Sequence, residues 1–504
     1  MVGIPGRSKG CVTCRKRKKG CDQVQPECGQ CKERGIKCGG YDSDRIFIYQ
    51  NGGSNRPVPK EAQYATTKTS PNQPSRQNWQ MAYKPAFALQ RRDPLLTPVN
   101  IELPNGLAKS AYTEKTIAAF LEMYSPAGTA HAQNVYAKEL ATLLPLLNLR
   151  DEALQAATLA VGITQLGITT ENKALTRQGR VLYGKALKET ALALRNPSRA
   201  NSEPLLAVPR VMALFDMLFG AEPNSYNQAK SWLSHAEGEL AMILSRGPEA
   251  FASDETTHAL FTNARSRLLW PAIRDRKPTI LNTEEWMTLP WKGRTKTSED
   301  LLMDIFCGIP ELLEATDRLQ YDPMDDLERE TLRAYALSKC WTLHSLLADW
   351  TQANTMCTPE ITDPSTKVTF PDIDNACITV RYWLVALFLY SSFDIASGVD
   401  ISTDYSLTRP DRPHPRPFAR MIVCSTDYLL QEQFGITGLL TIWFPLGNTL
   451  FYMNRNRDAD EEYILEVMKL WCRPKLPSVM REFLKSFRLT VDMYTLSATP
   501  LREL

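Results

Sequence analysis

Residues 11–38 read CVTCRKRKKGCDQVQPECGQCKERGIKC, in which six cysteines fall as C-x2-C-x6-C twice over, the two halves separated by six residues. Thiolates hold zinc in tetrahedral sets of four, and six sulfurs do not divide into closed sets of four. A single zinc would leave two cysteines idle. Two zincs need eight bonds from six sulfurs, so two sulfurs must bridge. The repeat pairs Cys11 with Cys28, Cys14 with Cys31 and Cys21 with Cys38, and the bridges should be one such pair. Cys11 and Cys28 each open a C-x2-C turn, which makes them the natural choice. One zinc is then expected on Cys11, Cys14, Cys21 and Cys28, and the other on Cys28, Cys31, Cys38 and Cys11. Close-spaced cysteines also suit a disulfide framework, but the leading MVGIPGRSKG lacks the apolar run of a secretory signal.

Six thiolates outweigh two dications, so the cluster is negative and calls for nearby cations. Arg15, Lys16, Arg17, Lys18 and Lys19 supply five in succession, on a short helix expected after the first C-x2-C. Residues 1–40 carry ten Lys and Arg against three acids, a net of +7, whereas the whole chain is only +3 and its remainder is therefore −4. Positive charge concentrated in the cysteine module is the electrostatic footprint of a nucleic-acid reader.

The spacing, the basic run and Pro26, two residues before the fourth cysteine, resemble the fungal zinc binuclear cluster transcription factors. In that family two short helices, each following a C-x2-C, pack around two zinc ions, and the first puts its C-terminal end into the major groove of double-stranded DNA. The resemblance implies that Cys11, Cys14, Cys21, Cys28, Cys31 and Cys38 ligate two Zn2+. It places Lys18 where the G bases of a CGG triplet are read, and Arg15, Arg17 and Lys19, with Lys16 beside them, at the DNA backbone. It further implies a nuclear regulator of transcription by RNA polymerase II. Gly20 departs from the pattern, because many members carry another base there, which would remove one phosphate contact.

Beyond the cluster, taken as residues 1–41, the composition turns to Pro, Asn, Gln, Ser and Thr. Tyr41 to Gln50 holds a short apolar patch, but residues 42–110 offer too little apolar surface to offset the entropy of ordering, and they are expected to form a flexible linker. No a/d heptad repeat occurs there, so no zipper is expected next to the cluster, and the sequence sets no oligomeric state.

From about residue 111 to 504 the helical period dominates. Ile117, Phe120, Leu121 and Tyr124 make an i, i+3, i+4, i+7 stripe, and Asp151 to Ile168 is apolar nearly all round, as a helix in the middle of a bundle should be. Glu171 to Arg195 carries a stripe through Tyr183, Leu187, Ala191 and Leu194, and Ser225 to Arg246 one through Ala229, Trp232, Leu233, Ala236, Leu240, Ile243 and Leu244, stopped by Gly247-Pro248. Further helices are expected at 209–219, 255–273, 299–318, 327–353, 372–396, 416–433 and 459–471, with another after Pro477. The fold class is therefore mainly α: a small two-zinc six-cysteine module, a flexible linker and a large all-α regulatory domain. Trp232, His235 and Gly238, Arg246-Gly247-Pro248, Ile309-Pro310 and Phe444-Pro445-Leu446 resemble, in that order, the fungal-specific regulatory domain that often follows a zinc cluster. That resemblance implies regulatory input from a coregulator protein or a small effector.

Gln433 to Asn454 contains no charged residue and is long enough to span a bilayer, but Gly435, Gly438, Pro445, Gly447 and Asn448 interrupt it. Two buried helices with a break at Pro445 are expected, and no membrane partner. No enzyme is expected either. The G-x-S-x-G of Gly6 to Gly10 lacks the strand and helix of a nucleophile elbow, and no P-loop, HExxH or dinucleotide fingerprint occurs. Cys340 and His344, four apart, read as a core thiol beside a satisfied imidazole, and His235 as a helix-packing residue. Trp341, Trp350, Trp383 and Trp443 read as core, with an effector pocket as their other use. Cys307, Cys340, Cys357, Cys377, Cys424 and Cys472 have no paired spacing and are expected to be reduced and mostly buried.

Overall fold

The computed structural model describes residues 11–38, apart from a few positions among them, and 105–124, 143–220, 225–354, 359, 361 and 363–470. The chain divides into two compact units, Met1–Pro98 and Val99–Leu504. The described residues contain helices and turns and no strand. Most of the linker expected at 42–110 lies outside them, as do Pro26, the Tyr41–Gln50 patch, Gly6 to Gly10 and the helix expected after Pro477.

In the first unit two short helices, α1 (Val12–Lys16) and α2 (Gly29–Lys32), each begin one residue after the first cysteine of a half-site. The second unit is a stack of helices whose starts are set by side-chain caps. In α4 (Glu152–Thr169) the cap is Asp151, in α5 (Lys173–Leu194) Asn172, in α8 (Glu255–Asp275) Asp254, in α11 (Asp326–Ala353) Asp325 and in α12 (Ile373–Ala396) Asp372. Between them lie α6 (Glu203–Phe219), α7 (Ser225–Arg246), α9 (Ser298–Cys307) and α10 (Ile309–Tyr321). The last three helices are α13 (Pro415–Leu429), α14 (Gly435–Met453) and α15 (Arg457–Lys469). The first helix of this unit, α3 (Asn105–Tyr124), begins ahead of residue 111, where the helical period sets in.

α12 is the centre of the core. Every residue from Tyr382 to Asp394 is buried, and α9, α10, α11, α13 and α14 pack around it. This helix and the stretch Glu432–Lys469 are long and apolar enough to cross a membrane by length and composition, yet 89% and 56% of their most apolar windows are buried within the protein. The chain closes on itself where the Thr437 hydroxyl on α14 donates to the carbonyl of Tyr124 at the end of α3, at 3.1 Å.

Three expectations are corrected. Pro445 does not end a helix, because α14 runs through it, as α6 runs through Pro209 and α8 through Pro271. An interior proline costs a helix about 3 kcal/mol, and burial on both sides, of Ile442, Leu446 and Leu450 in α14, offsets that. The single helix expected over 299–318 is two, α9 and α10, with the break at Gly308 just before Ile309-Pro310. In α5 the stripe is rotated. Leu187 and Leu194 are 45% and 48% exposed, while Gly179, Tyr183, Ala186 and Ala193 face inward. A β-carbon on Gly179 would sit 1.9 Å from Thr164 Oγ1 and 3.0 Å from the Ala160 carbonyl oxygen, both on α4, so position 179 has no room for a side chain.

Candidate metal centre and nucleic-acid interface

The C-x2-C turns build the site. In each, the backbone N–H of the second cysteine donates to the sulfur of the first, Cys14 to Cys11 and Cys31 to Cys28, both at 3.3 Å. In α2 the Cys28 thiol is the helix cap, a role usually filled by a hydroxyl or carboxylate. The two halves are tied by the Thr13 hydroxyl, which donates to the carbonyl of Lys37 at 3.1 Å. Gly35, at φ 62°, turns the chain after α2 so that the Ile36 N–H reaches the Cys31 carbonyl at 3.1 Å.

Cys11, Cys14, Cys28 and Cys31 are buried, and Cys21 and Cys38 are half-buried at the edge of the same cluster. The sulfurs fall into two groups of four, Cys11, Cys14, Cys21 and Cys28, and Cys11, Cys28, Cys31 and Cys38, each with all its atoms within 4.8 Å of one another. Cys11 and Cys28 belong to both. Sulfurs bound to one tetrahedral zinc at about 2.3 Å lie about 3.8 Å apart. The separations here are 3.6 Å for Cys11 and Cys28, 3.8 Å for Cys11 and Cys31, and 3.7 Å for Cys14 and Cys28. The donor set therefore fits two zinc ions in both number and spacing. Without a cation, burial pushes the Cys14 thiol up to about 12. A dication displaces such protons and takes the thiolates as ligands.

Lys16, Arg17 and Lys19 are exposed beside this cluster. Arg15 lies in α1, and the chain keeps curling past its end, with the N–H of Lys19 reaching the Cys14 carbonyl at 3.1 Å. Lys18 lies outside the described residues. Sequence reasoning passed over Asp22, whose Oδ1 accepts from the Gly29 N–H at 3.1 Å and so joins the first half to the start of α2. A β-carbon on Gly29 would meet Asp22 Oδ2 at 2.3 Å, which explains the glycine. A lone acid after a cysteine carries no local signal for this role.

The polar residues singled out in the helical unit have structural partners. His235 Nε2 lies 2.9 Å from the Tyr183 hydroxyl and 3.2 Å from Asp216, so it joins α7 to α5 and α6. His344 Nδ1 lies 3.1 Å from the Tyr390 hydroxyl, and burial pushes the neighbouring Cys340 thiol up to about 12. Arg246 donates to the carbonyl of Ser202 at 2.7 Å, and Phe444 stacks on Trp270 with ring centroids 5.0 Å apart. Trp350 and Trp383 are core, whereas Trp341 is 44% exposed. Asp394, Asp404 and His414 are grouped closely enough to hold a cation, but Arg409 pairs with both aspartates and Arg412 with Asp394, so guanidinium groups already meet that charge.

A paired-sulfur module with a basic first helix is thus encoded ahead of a unit whose described residues are helices and turns. Residues 9–45 match the fungal Zn(2)-Cys(6) binuclear cluster domain, and residues 120–269 match the fungal specific transcription factor domain. Among curated proteins it is 44% identical over 54 residues to "Transcription factor dibT" of Pestalotiopsis microspora, a match covering 10% of this chain and 8% of that one. It is 38% identical over 73 residues to "Pestheic acid cluster transcriptional regulator 3" of Pestalotiopsis fici, over 14% of this chain and 13% of the relative. With "Aspercryptin biosynthesis cluster-specific transcription regulator atnN" of Emericella nidulans it shares 49% over 39 residues, 8% of this chain and 6% of the other. The chain thus spans no more than 13% of the length of any of these three. No solved structure matches it.

Proposed function

We propose that the chain is a nuclear, zinc-dependent, sequence-specific regulator of transcription by RNA polymerase II that reads CGG-like triplets in double-stranded DNA. The observation that carries this reading is the pairing of two four-sulfur groups, sharing Cys11 and Cys28, with exposed Lys16, Arg17 and Lys19 beside them. One zinc is held by Cys11, Cys14, Cys21 and Cys28, and the other by Cys28, Cys31, Cys38 and Cys11. Closed four-sulfur shells leave no open coordination position, so the metal is structural. Lys18 contacts base edges in the major groove, while Arg15, Lys16, Arg17 and Lys19 hold phosphates. Residues 1–41 form the DNA-binding module, 42–110 the linker and 111–504 the regulatory domain, to which no catalytic role is given. A binding-site selection with the zinc-loaded full chain tests this. Enrichment of CGG triplets is expected, one triplet indicating a monomer and two at fixed spacing a dimer. A pool with no enriched sequence would sink the reading.

A further inference from the structure

Between α9 and α11 the helical unit leaves a cleft of about 780 Å³, within the range of small-molecule sites. Two ties hold it open. At one end the Trp350 indole N–H donates to the Ser298 carbonyl at 2.7 Å, and the Ser298 and Asn354 side chains are hydrogen-bonded. At the other end Gly308 meets Leu343, whose Cδ2 lies 2.9 Å from where a β-carbon would stand. Leu301 and Ile305 from α9 and Leu343 and Leu346 from α11 line the space between. Ile305 and Leu343 are buried, but Leu301 and Leu346 are 46% and 49% exposed, so both helices give the cleft an uncovered leucine.

The charges lining the cleft decide what suits it. Of these, Asp304 pairs with Arg265 and Lys296, and Glu311 with Lys339 at 3.1 Å and with the Tyr335 hydroxyl. The fourth, Asp349, has no hydrogen-bond or ion-pair partner among the described residues. It stands on the same face of α11 as Leu346, one turn further along. The cleft thus offers an apolar bed with one uncompensated negative charge at its edge.

We propose that this cleft binds a small amphipathic organic cation, its apolar body against Leu301, Leu343 and Leu346 and its ammonium group against Asp349. The ties at Ser298 and Gly308 preorganise the walls, so little ordering opposes binding. Apolar contact supplies the affinity and Asp349 the choice of charge. The inference stands apart from the DNA reading, since it uses only the helical unit.

The test is a fluorescence titration of the zinc-loaded full chain with dansylcadaverine, an aromatic body on a primary alkylamine, beside a dansyl alkylcarboxylate of equal length. Saturable enhancement is expected with the amine and not with the carboxylate. Asp349→Asn should weaken amine binding about fivefold, and Leu346→Gln about tenfold. Both side chains are exposed enough to be changed without unfolding, which far-UV circular dichroism checks. Equal binding of amine and carboxylate, unchanged binding in either variant, or no saturation would each overturn the proposal.

Discussion

Single side chains carry two of the sharpest consequences. If Lys18 reads a G base, Lys18→Ala loses about 1–3 kcal/mol of discrimination at that position, seen as a relaxed preference in a binding selection. An unchanged CGG preference in that variant rules out the assignment. Asp254 is a different kind of residue, a helix cap whose Oδ2 accepts from the backbone N–H of Thr257 at 2.7 Å. That bond holds its carboxyl below the usual carboxylate range. Because its folded value is the lower one, its contribution is complete above the unfolded value of about 3.9 and is lost as pH falls through the folded value. Asp254→Ala should therefore cost about 1 kcal/mol at neutral pH, and the gap to wild type in urea melts should close in strong acid. A gap of the same size in acid would mean that the carboxylate is not the cap.

Helix-to-helix contacts set the next two. Gly162 brings α4 against α3 so closely that a β-carbon would lie 2.2 Å from the carbonyl oxygen of Thr116. Alanine gains about 1 kcal/mol of helix propensity over glycine, but overpacking against rigid backbone costs roughly 1–3 kcal/mol. Overlap wins, and Gly162→Ala should lower the urea midpoint. A raised midpoint would mean that α3 can move aside. Asp460 joins α15 to α13. It accepts from Arg416 at 3.1 Å and Arg420 at 2.9 Å, with Arg416 and Asp460 both 1% exposed. Asp460→Ala strands the Arg416 guanidinium in the core and should cost about 3–5 kcal/mol. Pairing it with Arg416→Met should recover much of the loss in the same melts. If the double variant is no better than the single, the stranded charge is not the cause.

Across the whole molecule, the two compact units rest on different physics. Among the described residues, the first has almost no apolar core beyond its cysteines, whereas the second buries one continuous apolar cluster running from Phe120 to Leu470. Structural zinc supplies roughly 10–16 kcal/mol in comparable peptides. A strong chelator should therefore abolish DNA binding while leaving most of the far-UV helical signal, which comes from α3 to α15. DNA binding that survives the chelator would count decisively against the cluster.

The cysteine register from Cys11 to Cys38 is short-range information, and it was enough to expect two metals, two four-sulfur sets and shared sulfurs at Cys11 and Cys28. Helix positions such as Ser225–Arg246 and Ile373–Ala396 were legible for the same reason, since period and caps act within a few residues. The unbroken path through Pro445, the inward turn of Gly179 and Ala186, the buried Arg416–Asp460 pair and the cleft beside Asp349 were not. Each depends on which helices come together, and contacts such as Thr437 with Tyr124, 313 residues apart, are made only when the whole unit has folded. Sequence by itself determined what the cysteine module can hold. Tertiary packing alone decided which side chains of the helical unit are buried and which remain uncovered.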